Sequence, residues 1–104
     1  MSAFITNQMA QEKAIQIRTT VLEELRVNND YVQISVVPDT LYPLAKFTTS
    51  KNGKVWKVGY IFDLDLYTVR VFNTAAALDA DSPNVYEVGA NLADTLIKAL
   101  NASK

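Results

Sequence analysis

The sequence contains neither cysteine nor histidine, and each absence removes whole classes of function. Without cysteine there can be no disulfides, thiolate metal ligands or thiol nucleophiles. Without histidine there is no imidazole general base, no Ser-His-Asp triad and no histidine-bound zinc. Only carboxylates, lysine, tyrosine and hydroxyl groups remain for catalysis. The composition therefore predicts a protein that is not an enzyme and that holds neither a cofactor nor a metal.

Long apolar runs and glycine-rich segments are also missing. No stretch approaches the ~20 apolar residues that cross a bilayer, and the N-terminal residues lack the basic start and apolar run of a secretory signal. Gly53, Gly59 and Gly89 lie too far apart in sequence to form a phosphate-binding loop. We therefore expect a soluble, cytoplasmic protein without a membrane partner.

The apolar content is sufficient for one core. Apolar residues make up 49% of the 104 residues, which is ordinary for a globular protein. The length fits a single domain over residues 1–104, of which residues 1–7 are expected to fray. A chain of this size leaves about a third of its unfolded surface exposed when folded, so association with a second copy would stabilise it.

Two segments have the apolar spacing of amphipathic helices. Residues 8–27 form the first, with Thr6 or Asn7 as its cap. The second is predicted to begin at Ser82-Pro83, a start signal that follows a linker over residues 75–81. Its apolar positions are Val85, Val88, Leu92, Leu96 and Leu100.

Four segments between the helices read as strands. Residues 31–37 and 41–50 come first, and the pair Asn52-Gly53 then predicts a two-residue hairpin turn, because both residues accept positive φ. That turn would pair Thr49 with Trp56, Phe47 with Val58 and Ala45 with Tyr60. A change of apolar phase near residues 63–65 predicts a second turn and a fourth strand over residues 66–73.

The predicted fold class is α+β in two layers, with the element order α-β-β-β-β-α. A four-stranded antiparallel meander carries the N- and C-terminal helices on one face. Trp56, Val58, Tyr60 and Phe62 should lie beneath those helices. Lys46, Thr48, Lys57 and Arg70 would then point from the opposite face towards water or a partner.

Carboxylates offer one catalytic alternative. Asp63 and Asp65 would share a face if they lie in a strand, and with Tyr60 and Tyr67 they could line a small-ligand or catalytic pocket. Aspartates are also favoured in turns, through hydrogen bonds to nearby backbone N–H groups. We prefer the turn interpretation. Asp79 and Asp81 resemble the start of a calcium loop, but the later positions do not fit one.

The charge distribution points to a binding surface. The net charge is −1, yet residues 40–60 carry four positive groups and no negative one. The predicted interaction surface consists of basic side chains and two aliphatic ones: Lys46, Lys51, Lys54, Lys57, Arg70, Val55 and Ile61. A solvated basic hairpin that discourages edge pairing is the simpler interpretation of the lysines.

We therefore expect a non-enzymatic protein–protein interaction module, such as a small regulator or inhibitor of the kind that phages and mobile elements carry. It would act through an exposed sheet face or an oligomer surface, with another protein or a second copy as partner. Nucleic-acid binding through the basic hairpin is the alternative.

Overall fold

The computed structural model describes residues 5–28, 31–49 and 53–104. Within them the chain forms three helices and five strands. The helices are α1 (Asn7–Leu25), α2 (Ala75–Asp79) and α3 (Leu92–Ala102). The strands are β1 (Gln33–Val37), β2 (Tyr42–Thr48), β3 (Val55–Ile61), β4 (Leu66–Phe72) and β5 (Val85–Gly89). None of the helices in the described residues is long and apolar enough to cross a membrane.

The strands form one antiparallel sheet in the order β1-β2-β3-β4-β5, and α1 and α3 contact the same face of it. The α+β two-layer class is therefore confirmed. The number of strands is five where four were predicted. Helix α1 contacts β1 and β2, whereas α3 contacts β4 and β5.

The core lies between the sheet and these two helices. Trp56 is 1% exposed and packs in one cluster with Ile17 and Val21 of α1 and Leu96 of α3. The ring of Phe47 stacks on the indole at a centroid distance of 5.7 Å. The prediction that the indole lies beneath the helices is confirmed.

The sequence alternation of β3 and β4 explains this core. Trp56, Val58 and Tyr60 are buried at alternate positions along β3, and side chains of alternate strand residues share a face. Beyond the turn, Tyr67, Val69 and Val71 take up the same face. The predicted phase change at residues 63–65 is confirmed as a turn, closed by a hydrogen bond from the Asp65 N–H to the Phe62 carbonyl.

The predicted register of the β2–β3 hairpin was wrong by two residues. Phe47 pairs with Trp56 and Ala45 with Val58, and Thr49 is hydrogen bonded to Lys54. The loop therefore spans four residues, a common hairpin length. Gly53 adopts the expected positive φ of 68°, while Asn52 lies outside the described residues. A shift of two keeps every side chain on its predicted face.

The predicted second helix was wrong in its first half. Residues 85–89 form the edge strand β5, and α3 begins only at Leu92, where the Asn91 side chain accepts a hydrogen bond from the Asp94 N–H. The predicted linker contains the short helix α2, capped by Thr74. Gly89 permits a close approach between β5 and α3, because a Cβ there would overlap the Thr95 hydroxyl of α3.

The predicted first helix was nearly correct. Helix α1 begins at Asn7, and the Thr6 hydroxyl accepts a hydrogen bond from the Met9 N–H. Ala10, Ala14, Ile17 and Val21 are buried, as their spacing indicates. Fraying of residues 1–7 stays a prediction, since residues 1–4 lie outside the described part of the chain.

Candidate interaction surface

The sheet face opposite α1 and α3 is the candidate surface, here called the open face. The register assigns 17 side-chain positions to it. They are Gln33, Ser35, Val37, Tyr42, Leu44, Lys46, Thr48, Val55, Lys57, Gly59, Ile61, Leu66, Thr68, Arg70, Phe72, Tyr86 and Val88. None of these positions is an aspartate or a glutamate.

Three cations form a row across the middle of the open face, here called the basic row. Lys46 lies directly opposite Lys57 in the register, and Lys57 lies directly opposite Arg70. Gln33 continues the row on β1 and Tyr86 on β5. The positive charges therefore have no carboxylate among their cross-strand neighbours. Like charges at such positions repel one another, which costs stability in the absence of an anion.

Aromatic rings accompany two of these cations. The Arg70 guanidinium lies 5.1 Å from the centroid of the Tyr86 ring, and the Lys57 ammonium lies 5.9 Å from that of Phe72. Tyr86 is 50% exposed, whereas Phe72 is fully buried. Phe72 does not belong to the main core cluster, so part of the open face is itself buried.

Aliphatic side chains surround the basic row. Val55 and Ile61, both predicted surface residues, lie half-buried on the open face. Val37 and Val88 are 39% and 49% exposed at its two edge strands. The open face thus combines central positive charge with aliphatic side chains on either side.

The centre of the open face is held by a contact between three strands. Tyr42 and Thr68 hydroxyls lie 2.7 Å apart, across the position of Gly59 on the strand between them. A Cβ at Gly59 would overlap the Tyr42 phenol. Only glycine therefore allows the tyrosine to reach across β3 to β4.

Lys54, another predicted surface residue, does not join this face. Lys54 is half-buried, and its ammonium donates a hydrogen bond to the Ser103 carbonyl at the end of α3. Lys51 lies outside the described residues. Sequence reasoning also missed Tyr86, because residues 85–89 were assigned to a helix. The sequence carried no clear alternation for this strand, because apolar residues occupy both of its faces.

The alternative pocket near the β3–β4 turn is a packed side-chain cluster. The Tyr60 hydroxyl donates a hydrogen bond to the Asp65 carboxylate. The Lys13 ammonium donates one to the Tyr67 hydroxyl at 3.2 Å and lies 4.3 Å from the Tyr60 ring centroid. Asp63 is exposed. Lys13 thus contacts Tyr60 and Tyr67, and Tyr60 in turn contacts Asp65.

The electrostatics of this cluster keep the Tyr60 proton in place. The hydrogen bond to Asp65 and then burial raise the pKa of Tyr60 to about 12. Tyr60 therefore remains a neutral donor to Asp65 at neutral pH and cannot act there as a general base. Within the described residues, no group of three or more acidic side chains is placed to hold a metal ion.

A groove of about 550 Å³ lies where the end of α1 meets β2, β3 and α3. Leu25, Val27, Tyr31, Thr48, Trp56 and Leu100 are among its lining residues. The Trp56 Nε1 is buried without a hydrogen-bond partner in the described part of the chain. A buried donor without a partner is uncommon in folded proteins.

Comparisons with protein-family models, with curated protein sequences and with solved structures find no match for this chain. Its function is therefore inferred from the geometry of the open face.

Proposed function

We propose that this protein is a non-enzymatic protein–protein interaction module whose open face binds an acidic protein surface. The observation that carries the proposal is the basic row, in which Lys46, Lys57 and Arg70 stand side by side without an acidic neighbour on the sheet. As a small rigid binding unit, it would serve as a regulator or an inhibitor of its partner.

The energetics of the basic row favour an anionic partner. Each like-charge pair directly opposite across two strands destabilises the free protein by roughly 0.2–1 kcal/mol. Partner carboxylates near these cations replace the repulsion with attraction, and the complementary charge also speeds association. Two copies docked face to face would instead bring two basic rows together. The charge of the open face thus favours a different, acidic protein.

The aliphatic side chains favour protein over nucleic acid. Val37, Val55, Ile61 and Val88 contribute apolar surface on both sides of the basic row. Protein–protein interfaces combine an apolar centre with charged and polar groups. Interfaces with DNA or RNA are more polar and much more positively charged. The basic row supplies only three cations, and the chain as a whole has a net charge of −1. Both values are low for a nucleic-acid interface.

One observation favours a second candidate function, which is binding of single-stranded nucleic acid. The guanidinium of Arg70 lies over the half-exposed ring of Tyr86, and Lys57 is opposite Arg70 on the neighbouring strand. Exposed aromatic rings beside cations form the stacking platforms of many single-strand binders. Binding of this kind weakens steeply with added salt.

Nuclear magnetic resonance titration of the isotope-labelled protein separates the two candidates. One probe is a peptide that alternates glutamate with leucine, and the other is an oligouridylate. We expect the peptide to shift backbone amide signals of β2, β3 and β4. Lys57→Glu should abolish these shifts, whereas Lys98→Glu on the exposed side of α3 should leave them unchanged.

Each other outcome has a definite meaning. If oligouridylate binds with a steep salt dependence and the peptide causes no shifts, the second candidate would be established instead. Shifts that map to α1 and α3, or no shifts with either probe, would refute binding through the open face.

A further inference from the structure

Strand β1 presents an unprotected edge. It lies at one end of the sheet and pairs only with β2. Its five residues, Gln33–Val37, include no charge, proline or glycine. Natural proteins usually shield such an edge with a charge, a proline or a bulge, because its free backbone groups pair readily with another strand.

Strand β5, at the opposite end of the sheet, has features that discourage pairing with another strand. Glu87 lies at its centre, Gly89 at its end, and Asp81 and Pro83 precede it. If two copies paired through β5 about a two-fold axis at Glu87, the two carboxylates would lie directly opposite each other. Like charges in that position oppose pairing. The two edges of the sheet therefore differ in their capacity to accept a second strand.

Helix α1 carries two partly exposed apolar side chains, Ile15 and Leu22, above the β1 edge, on the same side as Arg18. Lys13 contacts Tyr60 and Tyr67, so that side of α1 faces the middle of the sheet. Ile15 is about 200° further around the helix and consequently lies on the side of the β1 edge. It is 45% exposed. Leu22, on the same side, is only half-buried.

The inner face of β1 is also incompletely covered. Ile34 and Val36 point towards α1 but remain half-buried, although both are large apolar side chains. In the described part of the chain, no strand lies beyond β1 to cover them. Apolar surface of this kind gains about 25 cal/mol for each Å² that a neighbour removes from water.

We propose that a second copy of this chain pairs with β1 in antiparallel orientation about a two-fold axis at Ser35. Ser35 then lies opposite Ser35 of the second copy, Ile34 opposite Val36, and Gln33 opposite Val37. All of these pairs are neutral. The two sheets join into one of ten strands, and Ile15 and Leu22 of each α1 helix lie on the side of that helix nearer the axis.

This dimer is compatible with the open face but does not depend on it. The two Lys46 side chains belong to β2 of each copy, so three strand spacings, or about 14 Å, separate their strands. That distance exceeds the Debye length of about 8 Å at physiological salt. Both open faces remain accessible on one side of the joined sheet. The acidic partner and the second copy therefore bind at different places.

Cysteine cross-linking tests the pairing directly, because the chain has no cysteine of its own. In Ser35→Cys the two new thiols face each other across the axis, within the range in which a disulfide closes. We expect rapid formation of a covalent dimer under mild oxidation. Val88→Cys, on the edge strand β5 and 49% exposed, is the matched control and should form little covalent dimer.

Size measurement by light scattering over a concentration series provides the second test. We expect a reversible dimer, and Ser35→Lys should weaken it by about tenfold or more, since two ammonium groups would meet at the axis. Circular dichroism checks that this exposed substitution leaves the fold intact. A wild-type chain that stays monomeric throughout, or cross-linking at Val88→Cys equal to that at Ser35→Cys, would overturn the proposal. In that case the β1 edge would be free to pair with an extended segment of another protein.

Discussion

At the scale of single residues, Gly59 decides how the centre of the open face is built. Gly59→Ala would force the Tyr42 ring away and break its contact with Thr68. We expect the free energy of unfolding to fall by about 1–3 kcal/mol, the usual cost of overpacking. Urea unfolding measures it. In a Tyr42→Ala background the same substitution should cost little, and an equal cost in both backgrounds would contradict this packing.

Tyr60 gives the protein a defined response to alkaline pH. An unfolded tyrosine loses its proton near its ordinary pKa of 10.0, whereas folded Tyr60 holds it to about 12. Between these values the folded state binds more protons, so stability falls as pH rises. The Tyr60 contribution is fully present below about pH 10 and is lost through about pH 12. Urea unfolding at stepped pH should show this decline in the wild type relative to Tyr60→Phe.

Asp65→Asn provides the control for this effect. Asp65 has a positive φ of 51°, which asparagine also tolerates, so the turn is preserved. Removing the carboxylate removes the main cause of the shift and should return the pKa of Tyr60 towards its ordinary value. Tyrosinate absorbance follows that change. An unchanged titration in Asp65→Asn would show that the carboxylate is not the cause.

At the scale of elements, the start of α3 can be tested by its cap. The Asn91 side chain accepts the hydrogen bond of the Asp94 N–H at 3.0 Å. Asn91→Ala should lower the free energy of unfolding by about 1 kcal/mol, as expected for a lost helix cap. Ser82→Ala should change it by less than about 0.5 kcal/mol, because Ser82 is an exposed surface residue outside any helix. The opposite ranking would support a helix that starts at Ser82.

The same element shows why the sequence misleads at this point. Val85, Val88 and Leu92 satisfy helical spacing, and Ser82-Pro83 imitates a helix start. Strand alternation is hidden because apolar residues occupy both faces of β5: Val85 faces the core, while Tyr86 and Val88 lie on the open face. A period of two is visible only when one face is polar. The pairing of β5 with β4, rather than its local pattern, decides its conformation.

Other elements could be predicted because one physical signal dominated each of them. Burial of Trp56 and Val58 followed from alternation, and alternation survives an error of two residues in the hairpin register. The length of the β2–β3 loop could not be predicted from the sequence. Asn52-Gly53 suits a two-residue turn, and Gly53 equally suits the end of a four-residue loop. Alternation also predicted that Lys46, Lys57 and Arg70 share one face of the sheet. Which of them lie directly opposite each other could be known only from the strand register.

At the scale of the whole molecule, charge is unevenly placed. The net charge is −1, yet the basic row occupies the centre of a face without acidic residues. Exposed Asp39 and Asp63 lie in the turns at one end of the sheet. The arrangement sacrifices some stability of the free protein, because interspersed charges of both signs would attract one another. Stability and partner binding should therefore respond in opposite directions to the same substitution.

Lys57→Glu tests this opposition. It converts two like-charge pairs, with Lys46 and with Arg70, into two attractive pairs, so the free energy of unfolding should rise by about 0.5–1 kcal/mol at low salt. Loss of the ammonium over the Phe72 ring offsets part of that gain. Binding of the acidic peptide should weaken in the same variant. Urea unfolding and peptide titration provide the two measurements.

Salt and a neutral variant separate charge from packing. Screening reduces interactions between exposed charges, so the gain in Lys57→Glu should shrink as salt is added. Lys57→Gln removes the repulsion without adding attraction and should lie between the wild type and Lys57→Glu. If Lys57→Glu instead lowers stability at every salt concentration, the basic row carries no electrostatic strain. An anionic partner would then gain nothing from relieving it, and the main support for binding through the open face would be lost.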